Sequence, residues 1–180
     1  MAPRIALLRG VNLGRARRMP MAQVRAVFEN LGWTDVVAHG QSGNLVFEAE
    51  GADAGLETAA EKALLDELGL KTEVMVRGAP AWRAMMAANP FPDEAVADPS
   101  HLVVMVLKSA PKHDAEAAMA AIPGRERAKV VGREAFIVYP DGIASSRLIG
   151  AALDKALGAR GTGRNWNTVV KLSAMAGGPS

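Results

Sequence analysis

Asp35-Val36-Val37-Ala38-His39-Gly40-Gln41-Ser42-Gly43-Asn44-Leu45-Val46-Phe47 holds two apolar runs separated by Gln-Ser-Gly-Asn. Asp35 to His39 and Leu45 to Phe47 read as strands. The residues between them are turn chemistry, since glycine and asparagine reach left-handed backbone at little steric cost. What flanks this hairpin decides the fold. Upstream, Val24, Val27, Phe28 and Leu31 recur at i, i+3, i+4 and i+7, the stripe of a helix starting near Pro20 and stopping at Gly32. Before that helix, Ile5-Ala6-Leu7-Leu8 is a short buried strand. Downstream, a helix from about Ala54 to Leu68 ends at Gly69, and Thr72 to Arg77 alternates Val74 and Val76 on one face of a strand. The order is β-α-β-β-α-β.

The second half repeats this order. A short helix carrying Trp82, Met85 and Met86 stops at Asn89-Pro90-Phe91-Pro92, and the acidic stretch to Asp98-Pro99 reads as a linker. Leu102 to Leu107 is a strand, and Asp114 to Ile122 a helix closed by Pro123-Gly124. Lys129 to Val131 and Ala135 to Tyr139 form a hairpin around Gly132-Arg133-Glu134. Ser146 to Leu157 is a helix, Ala159 to Gly163 a weakly marked strand, and Asn167 to Ala176 a last helix. The expected fold is α+β, with two ferredoxin-like (βαββαβ) units in tandem. The expected boundaries are 1–78 for the first unit, 79–100 for a helix and Pro-rich linker, and 101–180 for the second unit with its C-terminal helix.

Composition narrows the function. The 180 residues include no cysteine, which rules out disulfides, cysteine-ligated zinc, iron–sulfur clusters and a thiol nucleophile, and suits a reducing cytoplasm. No apolar run is long enough for a membrane span, so no membrane partner is expected. Net charge is only +2, but its distribution is uneven. Residues 1–28 hold six arginines (Arg4, Arg9, Arg15, Arg17, Arg18, Arg25) and no acid. After Asp154 the charged side chains are Lys155, Arg160, Arg164 and Lys171. Basic ends around an acidic middle point toward an anionic ligand.

Three polar islands interrupt the apolar pattern: Arg9-Gly10-Val11-Asn12-Leu13-Gly14, Gln41-Ser42-Gly43-Asn44 and Thr162-Gly163-Arg164-Asn165-Trp166-Asn167. In a ferredoxin-like unit the first and third strands are central antiparallel neighbours. The first two islands should therefore meet at one edge, near the start of the Pro20 helix. The same geometry draws the Pro140-Asp141-Gly142 turn, Ser145, Ser146 and Arg147 toward Arg164, Asn165 and Asn167. The candidate ligand-binding residues are Arg9, Asn12, Gln41, Ser42, Asn44, Arg164, Asn165 and Asn167, with the two basins expected to face one cleft between the units.

Plainer readings stand beside these. The Arg9 loop matches neither a P-loop nor a dinucleotide fingerprint, and its glycines also suit a tight strand-to-helix turn. Gly-Gln-Ser-Gly-Asn resembles a nucleophile elbow only superficially, because the turn joins two strands. Trp166 also suits an anchor for the last helix, and Asn165 or Asn167 an N-cap. His39, His101 and His113 are isolated, so no metal site is expected, and no carboxylate pair has acid–base spacing.

At these islands the chain resembles a bacterial family of uncharacterised proteins catalogued as domain of unknown function 1697. The resemblance runs through Leu7 to Gly14, Gln41 to Phe47, Asn89-Pro90-Phe91, Tyr139-Pro140-Asp141-Gly142 and Arg164 to Val169, in family order. It implies two α+β subdomains of ferredoxin-like character. It carries over no activity, cofactor or catalytic residue. The chain departs from the family pattern at Arg15 (commonly Gly), His39 (Tyr), Gly40 (Ile), Arg147 (Lys) and Gly163 (Thr).

The leading functional expectation is a protein that binds a phosphorylated or carboxylate small molecule in the inter-unit cleft. Single-stranded nucleic-acid binding is the alternative, weakened by only eight aromatic residues and no outward aromatic ladder. An enzyme acting on an activated acyl or phosphoryl group, with Ser42 as nucleophile or Arg164 as charge stabiliser, comes last because no base is visible.

Overall fold

Strand β1 (Ala2–Leu8) is the centre from which the first unit is built. Helix α1 (Met21–Asn30), strands β2 (Thr34–Ala38) and β3 (Asn44–Ala49), helix α2 (Asp53–Leu68) and strand β4 (Val74–Gly78) follow it. The computed structural model describes residues 1–13 and 18–178, so the Gly14–Arg17 part of the first island lies outside the described residues. The sheet order is β2-β3-β1-β4, with β1 antiparallel to both β3 and β4.

Ile5, Ala6, Leu7 and Leu8 are all fully buried, so both faces of the central strand are covered and an unbroken apolar run is required there. Ala6 and Leu8 face α1 and α2 across a core that includes Val24, Phe28, Phe47 and Leu64. Within it Trp33 stacks on Phe47 at 4.6 Å between centroids, and Phe28 meets both rings edge-on.

The edge strands of this unit are handled differently. β2 is bulged between Thr34 and Val37, with Asp35 at φ 52. β4 turns two backbone N–H groups outward, and α2 answers them with carboxylates one turn apart. Glu61 Oε1 accepts from the Val74 N–H at 2.8 Å and Glu57 Oε1 from the Val76 N–H at 2.9 Å. Glu57 is 5% exposed and lies 3.8 Å from the Arg77 guanidinium, so a buried acid and a buried base hold each other.

After helix α3 (Ala79–Ala87) the acidic stretch expected to be a linker is instead a helix, α4 (Pro92–Ala97), followed by a 3₁₀ turn over Pro99–His101. Proline at the first helical position with Asp93 and Glu94 behind it starts a helix as readily as it marks a linker.

The second unit contains β5 (Leu102–Leu107), α5 (Ala115–Ala120), β6 (Arg127–Val131), β7 (Glu134–Val138), α6 (Gly150–Leu157) and β8 (Gly161–Asn165), and α7 (Trp166–Met175) ends the described chain. Its sheet order is β6-β7-β5-β8, all antiparallel. The edge strand β6 is answered as β4 is, by Glu116 Oε1 accepting from the Val130 N–H at 2.8 Å. The fold is thus α+β, with two four-stranded antiparallel sheets and their helices in two units. Contacts divide the chain into Met1–Ala84 with Lys171–Ser180, and Met85–Val170; α3 and α7 run across that division.

Two local expectations shift. Helix α6 begins at Gly150 rather than Ser146, because the Ser146 hydroxyl accepts the Leu148 N–H and holds a turn there. The last strand is Gly161–Asn165 rather than 159–163. A Cβ on Gly161 would stand 2.5 Å from the Val106 carbonyl oxygen, and one on Gly163 2.8 Å from Met105 Sδ. Glycine stands at these two positions because the neighbouring strand leaves no room for a side chain.

Removing the Glu57 carboxylate strips the Val76 N–H of its acceptor and Arg77 of its counter-charge. Glu57→Ala is expected to lower unfolding free energy by about 2–4 kcal/mol, measured by urea denaturation.

Candidate functional site

The first two islands meet at the end of β1. The Leu8 N–H donates to the Gly43 carbonyl at 2.8 Å, and the Arg9 N–H donates to the Glu73 carbonyl at 2.9 Å. The Thr72 hydroxyl donates to the Arg9 carbonyl at 2.7 Å. The end of the central strand is therefore tied to the hairpin turn on one side and to the start of β4 on the other. Gly43 sits at φ 83, and a Cβ there would approach Leu8 Cβ to 2.7 Å, so the turn lies directly on the strand.

Asn12 fastens the loop. Its Nδ2 donates to the Gln41 carbonyl at 2.7 Å and to the Met19 carbonyl at 2.8 Å, while its Oδ1 accepts the Met19 N–H at 2.5 Å. The residue sits at φ 57, a left-handed conformation that asparagine tolerates better than most side chains. Its amide is thus engaged by backbone and frames the site. Asn44 acts similarly at the base of the hairpin: it is buried, and its Nδ2 donates to the His39 carbonyl at 3.2 Å. Gln41 and Ser42 are exposed at the tip, and Arg9 is half-buried beside them.

Next to this frame lies a pocket of about 150 Å³ lined by Gly10, Val11, Asn12, Arg18, Met19 and the Leu68–Leu70 turn. Arg18 is exposed and makes no ion pair with any described carboxylate. In the sequence Arg18 is marked only by the acid-free, arginine-rich run that holds it.

The third island straddles the end of β8 and the start of α7. Arg164 lies inside β8, paired in register with Val104, and is 9% exposed. Its guanidinium donates to the Thr162 hydroxyl at 2.7 Å and the Gly163 carbonyl at 2.8 Å. Burial pushes its pKa down to about 10, which still leaves a cation at neutral pH. Asn165 is the N-cap of α7, its Oδ1 accepting the Thr168 N–H at 3.1 Å; Asn167 is exposed and Trp166 buried.

Ends of β7 and β8 do share one edge of this sheet, since Leu102 pairs with Val138 and Val103 with Asn165. That edge is the start of the central strand, whereas the first two islands lie at the end of theirs. At the turn after β7, Asp141 takes a hydrogen bond from Arg125 at 2.6 Å, and the Ser145 hydroxyl donates to the Asp141 carbonyl at 2.8 Å.

Two further residues were not legible as site candidates. Arg77 holds in β4 the place that Arg164 holds in β8, next to the strand end and donating to the preceding carbonyl, here Val76 at 2.9 Å. His101, in the 3₁₀ turn, has its Nδ1 2.8 Å from Asp98 Oδ2. The i,i+3 spacing of Asp98 and His101 was the available signal.

A family model described as a protein of unknown function, DUF1697, matches residues 1–136. The chain belongs to the DUF1697 family. The solved structure of the conserved bacterial protein SP0830 from Streptococcus pneumoniae is similar to this DUF1697 protein with a TM-score of 0.76. The match covers 97% of this chain and 98% of that one at 18% identity, a likeness of fold. No curated protein matches the chain. Among the described residues no helix is long and apolar enough to cross a membrane.

The Asn12 clamp gives a direct test of the frame in this DUF1697 member. Asn12→Ala removes three hydrogen bonds and is expected to destabilise the first unit by about 1–3 kcal/mol, with faster hydrogen exchange at the Met19 amide.

Proposed function

We propose that this protein binds a small anionic molecule, phosphorylated or carboxylate, at the end of β1. The observation that carries the reading is Arg18, a guanidinium on the rim of a pocket with no described carboxylate paired to it. Arg9, Gln41 and Ser42 stand at the same strand end and hairpin tip, and Asn12 and Asn44 hold the frame. At about 150 Å³ the pocket suits an anionic head-group, smaller than the roughly 300–1,000 Å³ usual for whole ligands, with the remainder of the molecule on the exposed turn. Arg164, Asn165 and Asn167 form a polar patch at the sheet edge of the second unit.

We also propose that each βαββαβ run, within 1–78 and within 101–180, is a ferredoxin-like unit. Element order and the central position of the first and third strands support this. A cysteine-free sequence supports a cytoplasmic setting.

Thermal-shift titration with inorganic phosphate, pyrophosphate, carboxylates and nucleotides tests the binding reading. A true ligand at a hundredfold excess over its Kd adds about 2.7 kcal/mol of stability. Arg18→Ala is expected to weaken the best hit about tenfold or more. No stabilising anion in the panel, or a hit indifferent to both Arg18→Ala and Arg9→Ala, overturns the assignment. A gel shift with a single-stranded oligonucleotide that weakens steeply with salt would favour the nucleic-acid alternative instead.

A further inference from the structure

The second unit has a larger pocket whose lining carries charges of both signs. It is about 460 Å³, opens between α5 and β6, and is floored by Phe91, Met119 and Leu148, all buried. Two basic side chains reach its rim, and each already has a carboxylate. Lys129 Nζ lies 3.6 Å from Glu116 Oε2. Arg127 is paired with Glu94, and its guanidinium sits 5.4 Å from the centroid of the Phe91 ring. The Arg127 pairing holds the Glu94 carboxyl below the usual carboxylate range.

Glu126 is the charge left over. It lines the same pocket, is half-buried, and pairs with no base among the described residues. Its carboxylate is tucked over Gly124, with Oε2 only 1.9 Å from where a Cβ on that residue would stand. Any side chain at 124 would push the carboxylate away. Glu126 also acts inward: burial first, and the Glu126 charge second, raise the pKa of the Tyr139 hydroxyl under the pocket.

We infer that this pocket takes a small organic cation, an ammonium group on an apolar body, with the Glu126 carboxylate as its counter-charge. The volume falls in the range that small-molecule sites occupy. The floor supplies apolar contact for the body of the ligand. An anion entering here would have to compete with Glu94 or Glu116 for its cation. A cation meets a carboxylate that has no competing base, in surroundings where apolar walls strengthen the attraction. This inference is independent of the anion site in the first unit.

The test follows the Met119 methyl resonance during titration of the full chain with three probes of similar shape: 2-phenylethylammonium, 2-phenylethanol and 3-phenylpropanoate. Saturable shifts at Met119 are expected with the ammonium, and affinity at least about tenfold weaker for the alcohol and the carboxylate. Glu126→Gln and Gly124→Ala should each erase the preference for the ammonium, whereas Arg18→Ala should leave it intact. Unfolding curves of the variants separate lost binding from lost fold, and the ranking of probes on the unaltered protein needs no variant. The inference is overturned by an absent Met119 response, by equal affinity for ammonium and alcohol, or by a preference that survives Glu126→Gln in a folded protein.

Discussion

The first central strand, Ile5 to Leu8, and its counterpart Leu102 to Leu107 are buried on both faces. This constraint organises the molecule. A strand in that position accepts no charged side chain without a partner, so polar chemistry is displaced to where strands end and to the sheet edges. The end of β1 shows the result. Its last amides and the Arg9 carbonyl are met by the hairpin turn and by Thr72 and Glu73, and Asn12 ties the following loop to the same turn. A polar frame forms there because the backbone leaving an apolar strand has hydrogen bonds to satisfy.

Buried charge in this protein follows the same logic. Arg77 and Arg164 occupy matching places near the ends of the last strands, and both guanidinium groups reach back to main-chain carbonyls. Arg77 has a buried acid 3.8 Å away in Glu57, while Arg164 adds the Thr162 hydroxyl. The lowered pKa of Arg164 reflects its removal from water. These arginines are part of how each final strand is held. The exposed Arg18 and the half-buried Glu126 differ, because each borders a pocket and lacks a described partner of opposite charge.

Hydrophobic periodicity made the long elements readable. The Val24, Val27, Phe28 stripe is the buried face of α1, and the apolar runs of β1 and β5 are the sheet centres. The meeting of the Asn12 loop with the Gln41 turn was also legible, since it follows from placing the first and third strands side by side. Less was visible where local composition has two physical meanings. Pro92 with its acidic neighbours reads as a linker or a helix start, and α4 is the latter. Gly161 and Gly163 read as a weak strand, although they are required by the approach of Val106 and Met105. The later strand bounds carry Arg164 from just past the expected strand end into a buried strand position. Nothing in the sequence distinguishes an arginine destined for such a place from one bound for the surface, and Arg77 was invisible for the same reason.

Glu57, Glu61 and Glu116 close outward-facing main-chain donors on edge strands β4 and β6 from helices of their own unit. An added strand from another molecule would find those donors occupied and a carboxylate in its path. Self-association by extending either sheet past these edges is thereby discouraged, and the bulge at Asp35 roughens a third edge. Colloidal behaviour in a crowded solution is thus governed in part by three acids whose evident job is internal.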